Sequence, residues 1–385
     1  MKNIKLLVEN NSKVNHSNHW VRDKTFHYHY VSYYKQLDAE LLKDLIAHVE
    51  WLKNRHRQNI PIWIELANDN LLLKDKLVYI TFEILLYYYT FYENRKVKLY
   101  WKPNSNILTN GVRESSLKYI NGKIDKAKFG ETFIKNISDF HFRLVFREED
   151  SKKDAFYESK IQMELDAFFK RNSIVESSKE KILQICSELI GNSLEHASSD
   201  CLIDIDITDN YTKKFKEEHE RGVYKGVNIA VINFSEKLLI NDLMEKLNLE
   251  SLNEESYKIL NNAKRIHQNF FGKNEYTEEH FYFQAVTQKG ISGRKNIDQY
   301  GGTGLYVLLE SLIDDADLSN CYVLSGDKIL IFNEDFVSKD ENGWITYNEE
   351  KDFVNYPPHK DVLSYCPIYF PGTAYNLAFV LEVKE

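Results

Sequence analysis

Residues 177–207 constrain this chain most, because there an amphipathic helix pattern runs straight into an alternating strand. In SSKEKILQICSELIGNSLEHASS, Ser177 and Glu180 stand in capping-box relation, which predicts a helix start. Ile182, Leu183, Cys186, Leu189, Ile190 and Leu194 give that helix a broad apolar surface, so it must lie against another layer. CLIDIDI (Cys201–Ile207) alternates apolar and acidic residues as a half-buried strand should, and VNIAVIN (Val227–Asn233) reads as a more buried one. CYVLSGDKILIFN (Cys321–Asn333) predicts two strands joined at Ser325-Gly326-Asp327, and FPGTAYNLAFVLEV (Phe370–Val383) a turn and a last strand. The order implies a C-terminal two-layer α/β sandwich, a mixed sheet covered by helices, over residues 155–385.

The N-terminal part reads as a smaller α/β domain, residues 1–150, a sensor or docking module. DAELLKDLIAHVEWLKNRHR (38–57) has helical spacing, Pro61 stops it, and IWIEL and KVKLYW read as strands on either side of an apolar helix, Leu77–Tyr92. That apolar stretch is shorter than the roughly 20 residues of a membrane span and carries Glu83, so a buried helix is expected. Asn104–Asp125 reads as irregular, FHFRLVF (Phe140–Phe146) as a strand, and the charged run REEDSKKD (Arg147–Asp154) as either the domain boundary or the solvated face of a continuing helix. His27 and His29 alternate along FHYHY without a carboxylate or cysteine at ligand spacing, which argues for a strand face rather than a metal site.

With 50 basic against 58 acidic residues, the chain has no surplus for a general nucleic-acid coat. Its four cysteines are far apart, with no Cys-x-x-Cys pair, and the first twenty residues lack a secretory pattern. A cytoplasmic protein with reduced thiols and no membrane segment is expected.

Two features carry chemistry. Glu188, Asn192 and His196 are four residues apart, so they stack along one face of the predicted helix. Downstream, YGGTGLYVLLESLIDD sets Gly301, Gly302 and Gly304 around Thr303 ahead of an apolar helix. Bare backbone amides there can approach phosphate oxygens, and the helix dipole favours the same anion.

Together these residues resemble the GHKL superfamily of ATP-binding domains (the Bergerat fold of gyrase, histidine kinases, anti-sigma-factor kinases, mismatch-repair ATPases and ninety-kilodalton heat-shock chaperones). ELIGNSLEH is similar to the family's N box, GGTGL to its second glycine box, and FPGT to its closing Gly-Thr turn. The resemblance implies that Asn192 coordinates Mg2+ and that Glu188 is the general base for water. It further implies that His196 contacts phosphate and that Gly301, Gly302, Thr303 and Gly304 hold the phosphates of ATP. Asn233 stands where the family has its adenine-reading aspartate, and Ser235 and Lys237 replace the glycines of the first glycine box. An amide there can accept from adenine or, turned over, donate to guanine. Thr373 takes the second base-side position, and residues 234–300 become a long lid with helices of its own. Arg294 and Lys295, just before the glycine loop, either reach phosphate or form a solvated basic pair.

Between residues 127 and 180 the one histidine, His141, reads as strand rather than as a phosphoacceptor. The expectation is therefore a Mg-ATP-binding regulatory protein and slow ATPase whose lid controls contact with a partner or a second copy. The alternatives are a non-hydrolysing nucleotide-binding module and a kinase acting on a partner's serine, as in the anti-sigma kinases. Family habit and the aromatic excess point to a dimer.

Overall fold

The computed structural model describes residues 1, 3–12, 20–22, 27–55, 60–102, 110–154, 156–211, 224–247, 255–273, 275–291, 305–306, 308–310 and 321–384. The first unit runs α1 (Lys5–Asn11), β1 (Trp20–Arg22), β2 (Tyr28–Ser32), α2 (Ala39–Arg55), β3 (Ile62–Leu66), α3 (Lys76–Tyr87), β4 (Val97–Trp101), α4 (Asn110–Glu114) and α5 (Lys126–Ile134). β2, β3 and β4 pair in parallel in chain order, with α2 and α3 as the crossovers, and β1 adds antiparallel at the edge. α3 starts where the Asp75 carboxylate accepts the Val78 N–H, and it continues through a π-helical turn, Tyr88–Tyr92. The apolar stretch is thus a core helix, and among the described residues no helix is long and apolar enough to cross a membrane. The stretch expected to be irregular holds α4 and a 3-10 turn, Ser116–Tyr119, with residues 103–109 outside the described part.

The second unit continues β5 (Lys135–Ile137), β6 (His141–Phe146), α6 (Glu148–Lys153), α7 (Tyr157–Arg171), α8 (Glu176–Gly191), β7 (Cys201–Tyr211), β8 (Tyr224–Asn233), α9 (Asn241–Leu247), α10 (Glu255–His267) and α11 (Glu278–Ala285). It ends with β9 (Tyr322–Ile331), β10 (Val337–Lys339), β11 (Ile345–Tyr347) and β12 (Leu363–Glu382). Its main sheet has the order β5-β6-β7-β8-β12-β9, and every described pair in it is antiparallel. The mixed sheet expected from the sequence is therefore corrected. Parallel pairing belongs to the first unit, and the late strand β12 slots between β8 and β9 running against both.

Two local expectations also change. Gly326, at φ +65°, does not turn the chain back; it bends β9 opposite Phe370, because the 20-residue β12 pairs along both halves of β9. For the same reason the FPGT segment is a bend within β12 and not a turn before it. The Ser177/Glu180 capping box does not form: α8 begins at Glu176, behind Val175, with no side-chain cap. There Lys179 is held between Glu176 (2.7 Å) and Asp166 of α7 (2.6 Å), an anchor between the two helices.

The six-stranded sheet is covered on both faces. Ile203, Ile205, Ile207, Val227, Ile229, Val231 and Leu377 pack with the helices of the second unit, while Leu202, Ala230, Ile232, Leu324 and Ala374 pack with the first unit. Fully burying a side chain of this kind contributes about 1.5–3 kcal/mol, so both faces are firmly held. β5 and β6 precede the charged run at 147–154, which folds as α6, yet they are hydrogen-bonded into this second sheet. Asp204 and Asp206, read as the wet side of a half-buried strand, are 1% and 2% exposed, because the first unit sits on their face.

Candidate functional site

Three remote segments meet at one end of the sheet. α8 does not stop at Gly191 but widens into a π-helical turn, Asn192–His196, in which the Ala197 N–H donates to the Asn192 carbonyl at 3.2 Å. Within that turn the Ser193 hydroxyl donates to the Leu189 carbonyl (2.9 Å) and accepts from Asn233 Nδ2 (3.0 Å). Asn233 is the last residue of β8, and its register partners are Cys201 and Thr373. The Thr373 N–H donates to Asn233 Oδ1 at 3.2 Å. A backbone N–H can only donate, so the amide oxygen of Asn233 faces β12 and its nitrogen faces Ser193.

The approach of β12 depends on Gly372. It has φ +96°, and a Cβ there would lie 2.6 Å from the Asn233 carbonyl and 2.8 Å from the Ser235 nitrogen. Glycine alone meets both demands. Around this point Ser199 Oγ donates to the Phe234 carbonyl (2.6 Å), Ser235 Oγ to the Ala197 carbonyl (3.1 Å) and Ser325 Oγ to the Gly372 carbonyl (2.5 Å). Asn233 and Thr373 are 5% and 6% exposed, so the site is a neutral lattice of amides and hydroxyls, nearly dry. After its two bonds Asn233 retains one N–H and one lone pair.

The other expected residues divide. Asn192 is half-buried beside Ser193, and among the described residues its side chain has no hydrogen-bond partner. Glu188, one turn earlier and half-buried, borders an open groove between α7 and α8 with Gln162, Met163 and Glu180. The backbone of His196 closes the π-helical turn, while its side chain lies outside the described part. Gly301, Gly302, Thr303 and Gly304, with Arg294 and Lys295, also lie outside the described residues. The expected lid contains α9, α10 and α11, and these pack into the helical layer through Tyr257, Leu260 and Phe281. In that layer His267 meets the Tyr276 hydroxyl (2.6 Å) and the Phe353 carbonyl (2.9 Å). Burial pushes the pKa values of His267 and His280 down to about 4 each.

Mg2+ takes hard oxygen ligands, commonly one or two from protein and the rest from phosphate and water. The Asn192 carboxamide fits that role. Among the described residues there is no cluster of three or more His, Cys, Asp or Glu that could hold a metal, so a Mg2+ here would draw its remaining ligands from phosphate.

Sequence reading missed a second buried polar cluster, between the two units. Arg143 Nε donates to Asp204 Oδ2 (2.6 Å) and Nη2 to Glu83 Oε2 (2.5 Å), and Ser115 and Ser116 donate to Glu83 Oε1 at 2.5 and 3.0 Å. Lys76 Nζ reaches Asp204 Oδ1 (2.7 Å) and the Asn228 carbonyl (3.0 Å). Burial alone would raise the Asp204 carboxyl, but Lys76 and Arg143 hold it well below the usual range. The available signal was charge in apolar surroundings: Glu83 inside an apolar helix and Arg143 inside FHFRLVF each need a buried counter-charge.

No family model, no curated protein and no solved structure matches this chain.

Proposed function

We propose that this chain is a nucleotide-binding regulatory protein of the GHKL type, which takes Mg-ATP at the end of α8 and hydrolyses it slowly. The observation that carries the reading is the meeting of Ser193, Asn233 and Thr373, segments 40 and 140 residues apart joined by hydrogen bonds. A GHKL site needs that convergence: the Mg2+-binding helix, the base-reading strand end and the Gly-Thr segment must lie together.

In this reading the spare N–H and lone pair of Asn233 meet the edge of the base, with Thr373 beside it. The Asn192 carboxamide would hold Mg2+, whose charge would offset that of the phosphates when bound. Glu188 orients water and accepts its proton, and Gly301–Gly304 supply backbone donors to phosphate. Nucleotide would change how the 234–300 insert packs, and with it contact with a partner or a second copy. A second reading, binding without hydrolysis, is favoured by the first glycine box: Ser235 and Lys237 fill its glycine positions, and Lys237 is tied to Asp242 at 2.8 Å.

Turnover and binding by the wild type, Glu188→Ala and Asn192→Ala separate these readings. The proposal expects Glu188→Ala to bind ATP yet lose about 100-fold or more in turnover, and Asn192→Ala to weaken Mg-dependent binding. Tight binding without phosphate release by the wild type selects the second reading. Turnover unaffected by both substitutions rejects the site.

A further inference from the structure

Where the first unit roofs the six-stranded sheet, a cavity of about 180 Å³ remains among Lys76, Tyr79, Gly111, Asp206, Asn228 and Asn376. We propose that it binds a small molecule through a protonated primary amine, with Asp206 as the counter-ion. The site is separate from the Asn233 end of the sheet and does not depend on the nucleotide reading.

A count of charge carries the argument. His141 Nδ1 faces Asn136 Nδ2 at 3.2 Å, and that same amide nitrogen donates to the Glu114 carbonyl at 2.9 Å, so it is a donor. His141 therefore accepts at Nδ1, carries its proton on Nε2 toward Asp204 (2.9 Å), and is neutral. The buried cluster then sets the cations Arg143 and Lys76 against the carboxylates Glu83, Asp204 and Asp206. Among the described residues it is one positive charge short. Lys74 and Asp75, also on the cavity lining, carry one charge of each sign and leave that difference unchanged.

The deficit falls on Asp206. Its Oδ1 accepts the Gly111 N–H at 2.8 Å, and among the described residues its Oδ2 has no partner, although the residue is only 2% exposed. Lys76 is committed to Asp204 and the Asn228 carbonyl. Burial raises the Asp206 carboxyl most and the neighbouring Asp204 adds to it, while Lys76, His141 and the Gly111 N–H together offset this only in part. A buried carboxylate must either take a proton or meet a cation. The cavity beside Asp206 has the furniture for a cation with several N–H groups. Asn228, its register partner across β8, offers an amide oxygen, and Tyr79 offers an aromatic wall that favours ammonium.

The test is thermal denaturation of the intact protein with ethanolamine and putrescine, against ethylene glycol, 1,4-butanediol and matched KCl. The proposal expects a saturable rise in Tm with at least one amine and none with the diols or KCl. Asp206→Asn, which keeps an acceptor for Gly111, should raise the half-saturating concentration at least about tenfold. Asn228→Leu, which fills the floor of the cavity, should do the same and serves if Asp206→Asn does not fold. No saturable shift with either amine, an equal shift with diol or KCl, or amine binding unchanged in the folded variants would overturn the proposal.

Discussion

The two buried polar places on the six-stranded sheet differ in kind. At the Asn233 end, neutral amides and hydroxyls are joined by single hydrogen bonds, each contributing about 0.5–1.5 kcal/mol. Under the first unit, Arg143 bridges Glu83 and Asp204 in a charged set with almost no exposure. Bonds of the first kind can be exchanged for a ligand at small cost. Those of the second cannot be opened without stranding a charge, so they clamp the units together. On the proposed readings the nucleotide sits at the neutral end, and an amine at the charged junction meets Asp206, where a counter-charge is wanting.

Substitutions can break this contrast. Arg143→Met should have the largest effect, about 3–5 kcal/mol in urea unfolding, because Glu83 and Asp204 lose their shared cation. A loss under 1 kcal/mol would show the junction to be no clamp. Asn233→Ala should lose about 1–3 kcal/mol, since Thr373 keeps a buried N–H without an acceptor. Gly372→Ala should fall in a similar range, through its positive φ and the clash with Asn233.

Acid sharpens the picture from a third place, the helical layer. His267 and His280 have pKa values pushed to about 4, below the ordinary 6.5, so between those values the unfolded chain binds more protons than the folded one. Their contribution is full above pH 6.5 and is lost as pH falls toward 4, with about 2–3 kcal/mol for the pair already lost at pH 5.5. Melting at pH 7 and 5.5 with and without His267→Phe measures it; an unchanged pH dependence in the variant would remove His267 from the account. Smallest is Ile229→Val on the purely apolar face, about 0.5–1.5 kcal/mol. If it matched Arg143→Met, the two faces would not differ in the way described.

Local pattern was the legible part. The periodicity of 38–57 and 77–92 and the apolar run of VNIAVIN produce α2, α3 and β8 as read, because each is decided by residues within a few positions of one another. The likeness of ELIGNSLEH and FPGT to known boxes drew attention to the ends of α8, β8 and β12, where Ser193 and Thr373 both bond to Asn233. Long-range pairing was not legible. Nothing in Ser325-Gly326-Asp327 tells a hairpin from a bend; the distant β12 decides it. CLIDIDI looks half-wet in isolation, and only the roof supplied by residues 76–80 and 111–112 buries Asp204 and Asp206. The π-helical turn at Asn192–His196 likewise has no sequence signature, although it sets the position of Ser193.

Calorimetric titration with ATP, with and without Mg2+, on the wild type and Asn192→Ala tests the central claim most directly. The account predicts saturable, Mg-dependent binding by the wild type that Asn192→Ala weakens by about tenfold or more. Absence of binding, or equal binding by a folded Asn192→Ala protein, would contradict it.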